Sequence, residues 1–186
     1  MKKTGLLLLI AIYLLGLVYL FMPHPHLPVV PGGALSDEPG DTWQNPQQKA
    51  YYTDLRRGDL MDELERQYSS NLGIFSFFSF RLNYPPEEAQ ILVRDQLKSY
   101  YLEEVVHPFR ESLFINGWEP DKAPVLKTES DRLSNVMTFQ GKNYLNKITL
   151  KPNQSSLKHR LIVWTLIFPL IFLVLKNFKH SLFDRT

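Results

Sequence analysis

Glu104-Val105-Val106-His107 sets a carboxylate and an imidazole one helical turn apart if residues 85–106 form a helix. Carboxylate-bridged di-iron bundles use Glu-x-x-His pairs of this kind, but in two copies and with further glutamates from other helices. The chain holds one copy, so no metal and no cofactor is assigned. The pair reads instead as a surface glutamate beside a histidine that complements a helix C-terminus. Glu103, Glu104 and His107, with Arg110 and Glu111 just beyond, still form the densest group of acid/base side chains. A membrane-bound hydrolase or transferase acting on a lipid-linked or cell-wall substrate would draw its proton-transfer groups from them. His24 and His26 are two ligands in a proline-rich stretch, too few for a tight metal site. Asn153-Gln154-Ser155 matches a glycosylation sequon, a pattern common by chance.

The usual signatures of catalysis are missing. The sequence has no GxSxG, Walker loop, HExxH, GxGxxG or calcium-loop pattern. With no cysteine there is no disulfide, zinc-thiolate site, iron–sulfur cluster or thiol nucleophile. A net charge of +2 argues against binding nucleic acid through bulk charge.

Charge is segregated along the chain. Between Ser36 and Glu65 the acids Asp37, Glu38, Asp41, Asp54, Asp59, Asp62, Glu63 and Glu65 outnumber Lys49, Arg56 and Arg57. From Arg132 to Arg160 there are only bases: Arg132, Lys142, Lys147, Lys151, Lys158 and Arg160. In a strand covering 144–150, Lys147, Thr149 and Lys151 share one face and Ile148 and Leu150 the other. Lys142, Lys147, Lys151, Lys158 and Arg160 are therefore the candidate face for an anionic lipid, a polymer or an acidic partner. The competing reading is the solvated side of a sheet, neutralised by the acidic segment.

These groups are positioned by a body held between two apolar runs. Gly5–Met22 is uncharged, and as a helix it approaches the thickness of a bilayer core. Lys2 and Lys3 precede it, which keeps the N-terminus cytoplasmic. It continues into Pro-His-Pro-His rather than a small-residue cleavage site, so it reads as an uncleaved anchor. Leu161–Leu175 is shorter and carries Pro169, but Arg160 and Lys176 can extend it by snorkelling. Two spans return both termini to the cytoplasm. The expected organisation is an anchor at 1–22, a Pro/Gly-rich spacer at 23–42, an α+β extracytoplasmic domain at 43–158, a second transmembrane helix at 159–176 and a cytoplasmic tail at 177–186.

Within the body, Asn45-Pro46 and the spacing of Tyr51, Leu55, Met61, Leu64 and Tyr68 predict two short helices, the second capped by Asp59. Residues 74–80, IFSFFSF, predict a buried strand, with an aromatic wedge in the outer leaflet as the alternative. Pro85 to Val106 predicts the longest helix outside the ends. Ser112–Ile115 followed by Asn116-Gly117 predicts a hairpin, Val125-Leu126 a weak strand, and 136–150 a second hairpin turning at 140–143. The fold class is α+β, N-terminal helices followed by antiparallel strands, flanked by two transmembrane helices.

The expected function is a non-enzymatic, two-span interaction, assembly or scaffold protein of a bacterial plasma membrane. Its partners are membrane lipid and a membrane protein or a second copy of itself. The alternatives are the hydrolase or transferase above and a sensor of anionic lipid or polymer.

Overall fold

Lys147 to Asn153 alternate polar and apolar side chains within the nine-residue strand Asn146–Gln154, which runs through the middle of the main sheet. The computed structural model describes residues 3–43, 46–84, 101–119, 128–130 and 136–183. In chain order the elements are α1 (Lys3–Phe21), β1 (Ala34–Leu35), β2 (Lys49–Thr53), α2 (Arg57–Ser70), β3 (Phe80–Tyr84), β4 (Tyr101–His107), β5 (Glu111–Trp118), β6 (Met137–Phe139), β7 (Lys142–Tyr144), β8 (Asn146–Gln154) and α3 (Leu157–Phe183). Six strands pair antiparallel in the order β1-β2-β8-β5-β4-β3, and β6 and β7 form a separate two-stranded ribbon. The fold is mixed helix and antiparallel sheet. It divides into two compact units, His24–Gln154 and the paired ends 1–23 with 155–186.

Register decides what the domain buries. Tyr51 pairs with Ile148, Leu150 with Ile115, and Leu113 with Val105, all on one face. Against it lie Leu60, Met61, Leu64 and Tyr68, the one-turn stripe of α2. Each such side chain taken fully out of water contributes about 1.5–3 kcal/mol. Val30 joins this core and Leu27 packs on it. The segment read as a spacer thus supplies core side chains and an edge strand. Lys147, Thr149 and Lys151 fall on the opposite face of β8, as its alternation implies.

Several expected elements are corrected. Residues 49–53, placed in a first helix, are strand β2, a run of Ala, Tyr, Tyr and Thr buried on both faces. Met61, Leu64 and Tyr68 belong to one continuous helix whose N-cap is Arg56 rather than Asp59. The buried strand at 74–80 is replaced by a 3-10 helix, Gly73–Phe78, that buries none of its residues. Gly73 enters it at φ +52°, a conformation glycine adopts without a side-chain clash.

The helix expected to reach Val106 is also overturned at its end: Tyr101–His107 is strand β4, hydrogen-bonded on both sides. Residues 85–100 and the strand at Val125-Leu126 lie outside the described residues. Asn116-Gly117 is not a turn but lies inside β5. The turn falls earlier, at His107–Arg110, closed by Arg110 N–H donating to His107 O at 3.1 Å. The later turn is tighter than expected. Gln140 and Gly141, both at positive φ, join β6 to β7, and β8 leaves for the main sheet. Strands and helices therefore interleave rather than following one another.

In the other unit, α1 and α3 pack through a small residue. A Cβ on Gly16 would stand 2.0 Å from the Trp164 ring, so the indole occupies the space a side chain would take. Trp164 Nε1 donates to Tyr13 O at 3.2 Å, and the Tyr13 and Phe168 rings meet edge to face. Trp164 is the knob of a helix pair. Both helices are long and apolar enough to cross a membrane, and their apolar side chains are overwhelmingly exposed.

Candidate functional site

Strand alternation separates the acid/base cluster read from the sequence. Glu103 and His107 share the α2 side of β4, about 13 Å apart along the strand, while Glu104 faces the other way. Each has its own partners. Glu104 accepts a short hydrogen bond from the Tyr84 hydroxyl. Glu103 takes Arg57 Nε at 2.6 Å and Arg81 Nε at 3.4 Å. Arg57 also reaches Asn83 Oδ1, and its guanidinium covers the Tyr101 ring at 4.9 Å. A cleft of about 300 Å³ opens beside these arginines. Burial pushes the Tyr101 phenol well above its ordinary range, so it stays neutral and accepts from Asn146 Nδ2 at 3.0 Å.

His107 belongs to a second buried group, at the β4–β5 turn. Its Nδ1 lies 3.1 Å from Glu111 Oε1, its Nε2 lies 3.3 Å from Ser69 Oγ, and its ring stacks on Tyr68. Arg110 Nε donates to the same carboxylate at 3.0 Å, and His24 Nδ1 sits 2.7 Å from Glu111 Oε2. The side chains of His107, Arg110 and Glu111 are fully buried. Burial alone would raise the Glu111 carboxyl. The hydrogen bonds from His107, Arg110 and His24, with the arginine charge, outweigh it and hold the group below its ordinary 4.5. Charge compensation at a sheet corner is what this arrangement does. Glu111, Arg110 and His24 were visible in the sequence as types, but only the turn brings them together. Among the described residues, no three His, Asp or Glu side chains are placed to hold a metal ion.

The basic set is divided too. Lys147 Nζ lies 2.8 Å from both Glu38 and Asp41, the second carried by the short π-helix Pro39–Trp43 and the first just before it, and it covers the Tyr52 ring. Burial works against the ammonium, but the two carboxylates prevail and raise its pKa. The hydrogen bond from Lys147 in turn lowers that of Glu38. Lys142 meets Asp54 at 2.7 Å. Lys158 is exposed on the first turn of α3, and Arg160 Nε donates to Ser155 Oγ at 2.9 Å. Both belong to the helical unit.

Lys151 is different. With Lys49, His26 and Gln47 it lines a half-open cleft of about 730 Å³. In the sequence Lys49 counted only as a base within the acidic segment, and His26 only as one of two ligands too few for a metal site. Lys49 pairs with Leu150 and shares its face, the α2 side, whereas Lys151 projects from the other face of the sheet. Comparison of the chain with protein-family models, curated proteins and solved structures finds no match in any of the three.

Proposed function

We propose that the protein is a two-span membrane protein whose central domain lies outside the cytoplasm, where it binds a membrane-protein partner as an assembly or scaffold subunit. One observation carries the reading. A domain with its own core is bracketed in sequence by two exposed apolar helices of membrane-spanning length, and those helices pack on each other through Gly16 and Trp164. Lys2 and Lys3 before the first helix orient it with the N-terminus inside, in a bacterial plasma membrane. Ile74 and Phe77, 78% and 73% exposed, give the domain an apolar surface of the kind partners cover.

The absence of cysteine makes the topology directly testable. Ser70→Cys, on the exposed end of α2, is expected to react with a membrane-impermeant maleimide on intact cells, and Thr186→Cys only after permeabilisation. The reverse pattern overturns the orientation, and recovery of the chain from the aqueous fraction overturns membrane residence. Photo-crosslinkers at 74 and 77 in the native membrane are expected to trap one reproducible protein neighbour. Lipid adducts alone at both positions would overturn the partner.

A further inference from the structure

Both ends of the central domain's chain come to one place. His24 Nδ1 lies 2.7 Å from Glu111 Oε2, and Glu111 pairs across the strands with Gln154. His24 and Gln154, the first and last residues of the unit, therefore meet at the end of the sheet closed by the His107–Arg110 turn. His24 comes three residues after Phe21, the last of α1, and Leu157, the first of α3, comes three after Gln154. Three extended residues reach about 11 Å at most, so this end of the domain is tethered close to both helix ends.

The same end is charged inside and uncharged outside. α2 finishes there, with Ser69 Oγ 3.3 Å from His107 Nε2, and β3 starts there, with Phe80 paired to Val106. The 3-10 helix Gly73–Phe78 runs between them. Among residues 69–80 and 106–112 the only ionisable side chains are those of His107, Arg110 and Glu111, and all three are fully buried around the Glu111 carboxylate. His24, partly exposed beside them, turns its Nδ1 onto the same carboxylate. Ile74, Phe77, Phe78, Phe80 and Phe109 are exposed. A charge is costly to bring out of water, whereas phenyl rings suit the boundary between headgroups and acyl chains. Phe109 is the tip of the turn. It keeps a side chain at φ +63°, where glycine would fit without strain, and half of its surface is open. Strain of this kind collects at residues that serve a contact rather than the fold.

We propose that this end of the domain rests on the bilayer leaflet on its own side of the membrane, with the Phe109 ring held between headgroups and acyl chains. The inference rests on the reading of α1 and α3 as membrane spans and does not need the protein partner. Ile74 and Phe77, the surface assigned to that partner, stand at this same end, so the partner is met at the level of the membrane. Because the buried charges leave the rim neutral, the seat requires no anionic lipid.

The test uses the full chain, which has no cysteine of its own, in phosphatidylcholine nanodiscs. A nitroxide is attached to Phe109→Cys or to Asp59→Cys. Asp59 is exposed on the first turn of α2, at the opposite end of the sheet, where Arg57 N–H donates to Glu119. Oxygen concentrates in lipid and a nickel chelate in water. The logarithm of the ratio of oxygen to nickel accessibility is expected to be positive at 109 and negative at 59, and phosphatidylglycerol added to the nanodiscs should change neither sign. Circular dichroism identifies the variants that stay folded, and Pro108→Cys gives a second site on the same turn. A negative value at 109 and 108 in folded protein overturns the proposal. So does low accessibility to both reagents there, which marks a protein contact. A lipid-like value at 59 as well, or one at 109 that appears only with phosphatidylglycerol, also overturns it. Failure of the chain to enter nanodiscs would instead overturn the membrane reading itself.

Discussion

The Tyr101 ring lies on Gly117, its direct partner across the β4–β5 pair. A Cβ built on Gly117 would stand 2.0 Å from the ring carbon Cζ and 2.2 Å from the phenol oxygen. The ring is not free to yield, because Asn146 donates to its hydroxyl and Arg57 covers its face. Gly117→Ala is therefore expected to destabilise the domain by about 1–3 kcal/mol, the usual cost of overpacking a filled core. Urea unfolding followed by circular dichroism measures it. A change below about 0.5 kcal/mol would mean that the ring has room to move. Tyr101→Leu in the same background should recover part of the loss.

That relationship also explains how the sequence misled. Asn-Gly between hydrophobic residues is the strongest short hairpin signal, yet here the glycine answers a need for space beneath a tyrosine from a different strand. Tyr101–His107 reads as a helix end by spacing and becomes a strand because β3 and β5 pair on either side. Such pairing is invisible locally. The elements that were legible carry their signal within one segment, β8 in its alternation and the two end helices in their unbroken apolar runs. The ion pairs of the basic face were not. Lys142 and Asp54 are 88 residues apart, and Lys147 and Glu38 are 109 apart. Charge segregation hinted that acidic and basic segments meet, but which lysine meets which carboxylate is set by the fold of the sheet and its loops.

Phe109 is the third residue of the His107–Arg110 turn and has φ +63°, with Pro108 before it. A turn of this form favours glycine at that position, since a side chain there costs about 1–2 kcal/mol. The Phe109 ring is 50% exposed, so its burial offsets only part of the strain. Phe109→Gly is expected to raise stability by up to about 1 kcal/mol, while Phe109→Ala, which keeps the Cβ, should not. Comparison of urea midpoints decides the matter. A destabilised glycine variant would show that the ring contributes more than the backbone strain costs.

Glu111 should govern the acid limb of stability. Its folded pKa lies below the ordinary 4.5, so the unfolded chain binds the proton more readily. Its contribution is then fully present above about pH 4.5 and is lost as pH falls through the folded value. Glu111→Gln leaves the buried guanidinium of Arg110 without its carboxylate and is expected to cost about 3 kcal/mol at pH 7. The difference between wild type and variant should narrow steadily below pH 4.5. Denaturation at a series of pH values tests this. A constant gap down to pH 2.5 would remove Glu111 from the acid transition.

Gly16 should decide whether α1 and α3 stay paired. Helices in lipid gain little from the hydrophobic effect and associate through close packing, which small residues permit. The Trp164 indole fills the place of the absent Gly16 side chain and donates to Tyr13 O, so a larger residue at 16 must displace the ring and that hydrogen bond together. Gly16→Leu is expected to separate the helices, whereas Leu14→Ala and Leu15→Ala, both at exposed positions on α1, should not. A protease site inserted after Ser36, with an affinity tag on the N-terminus, gives the readout in two backgrounds. Once the site is cut and the domain is unfolded in mild urea, the C-terminal fragment should co-purify with the tagged α1 from detergent in wild type and be lost in Gly16→Leu. Equal retention would show that the Tyr13 and Phe168 rings hold the pair without the glycine.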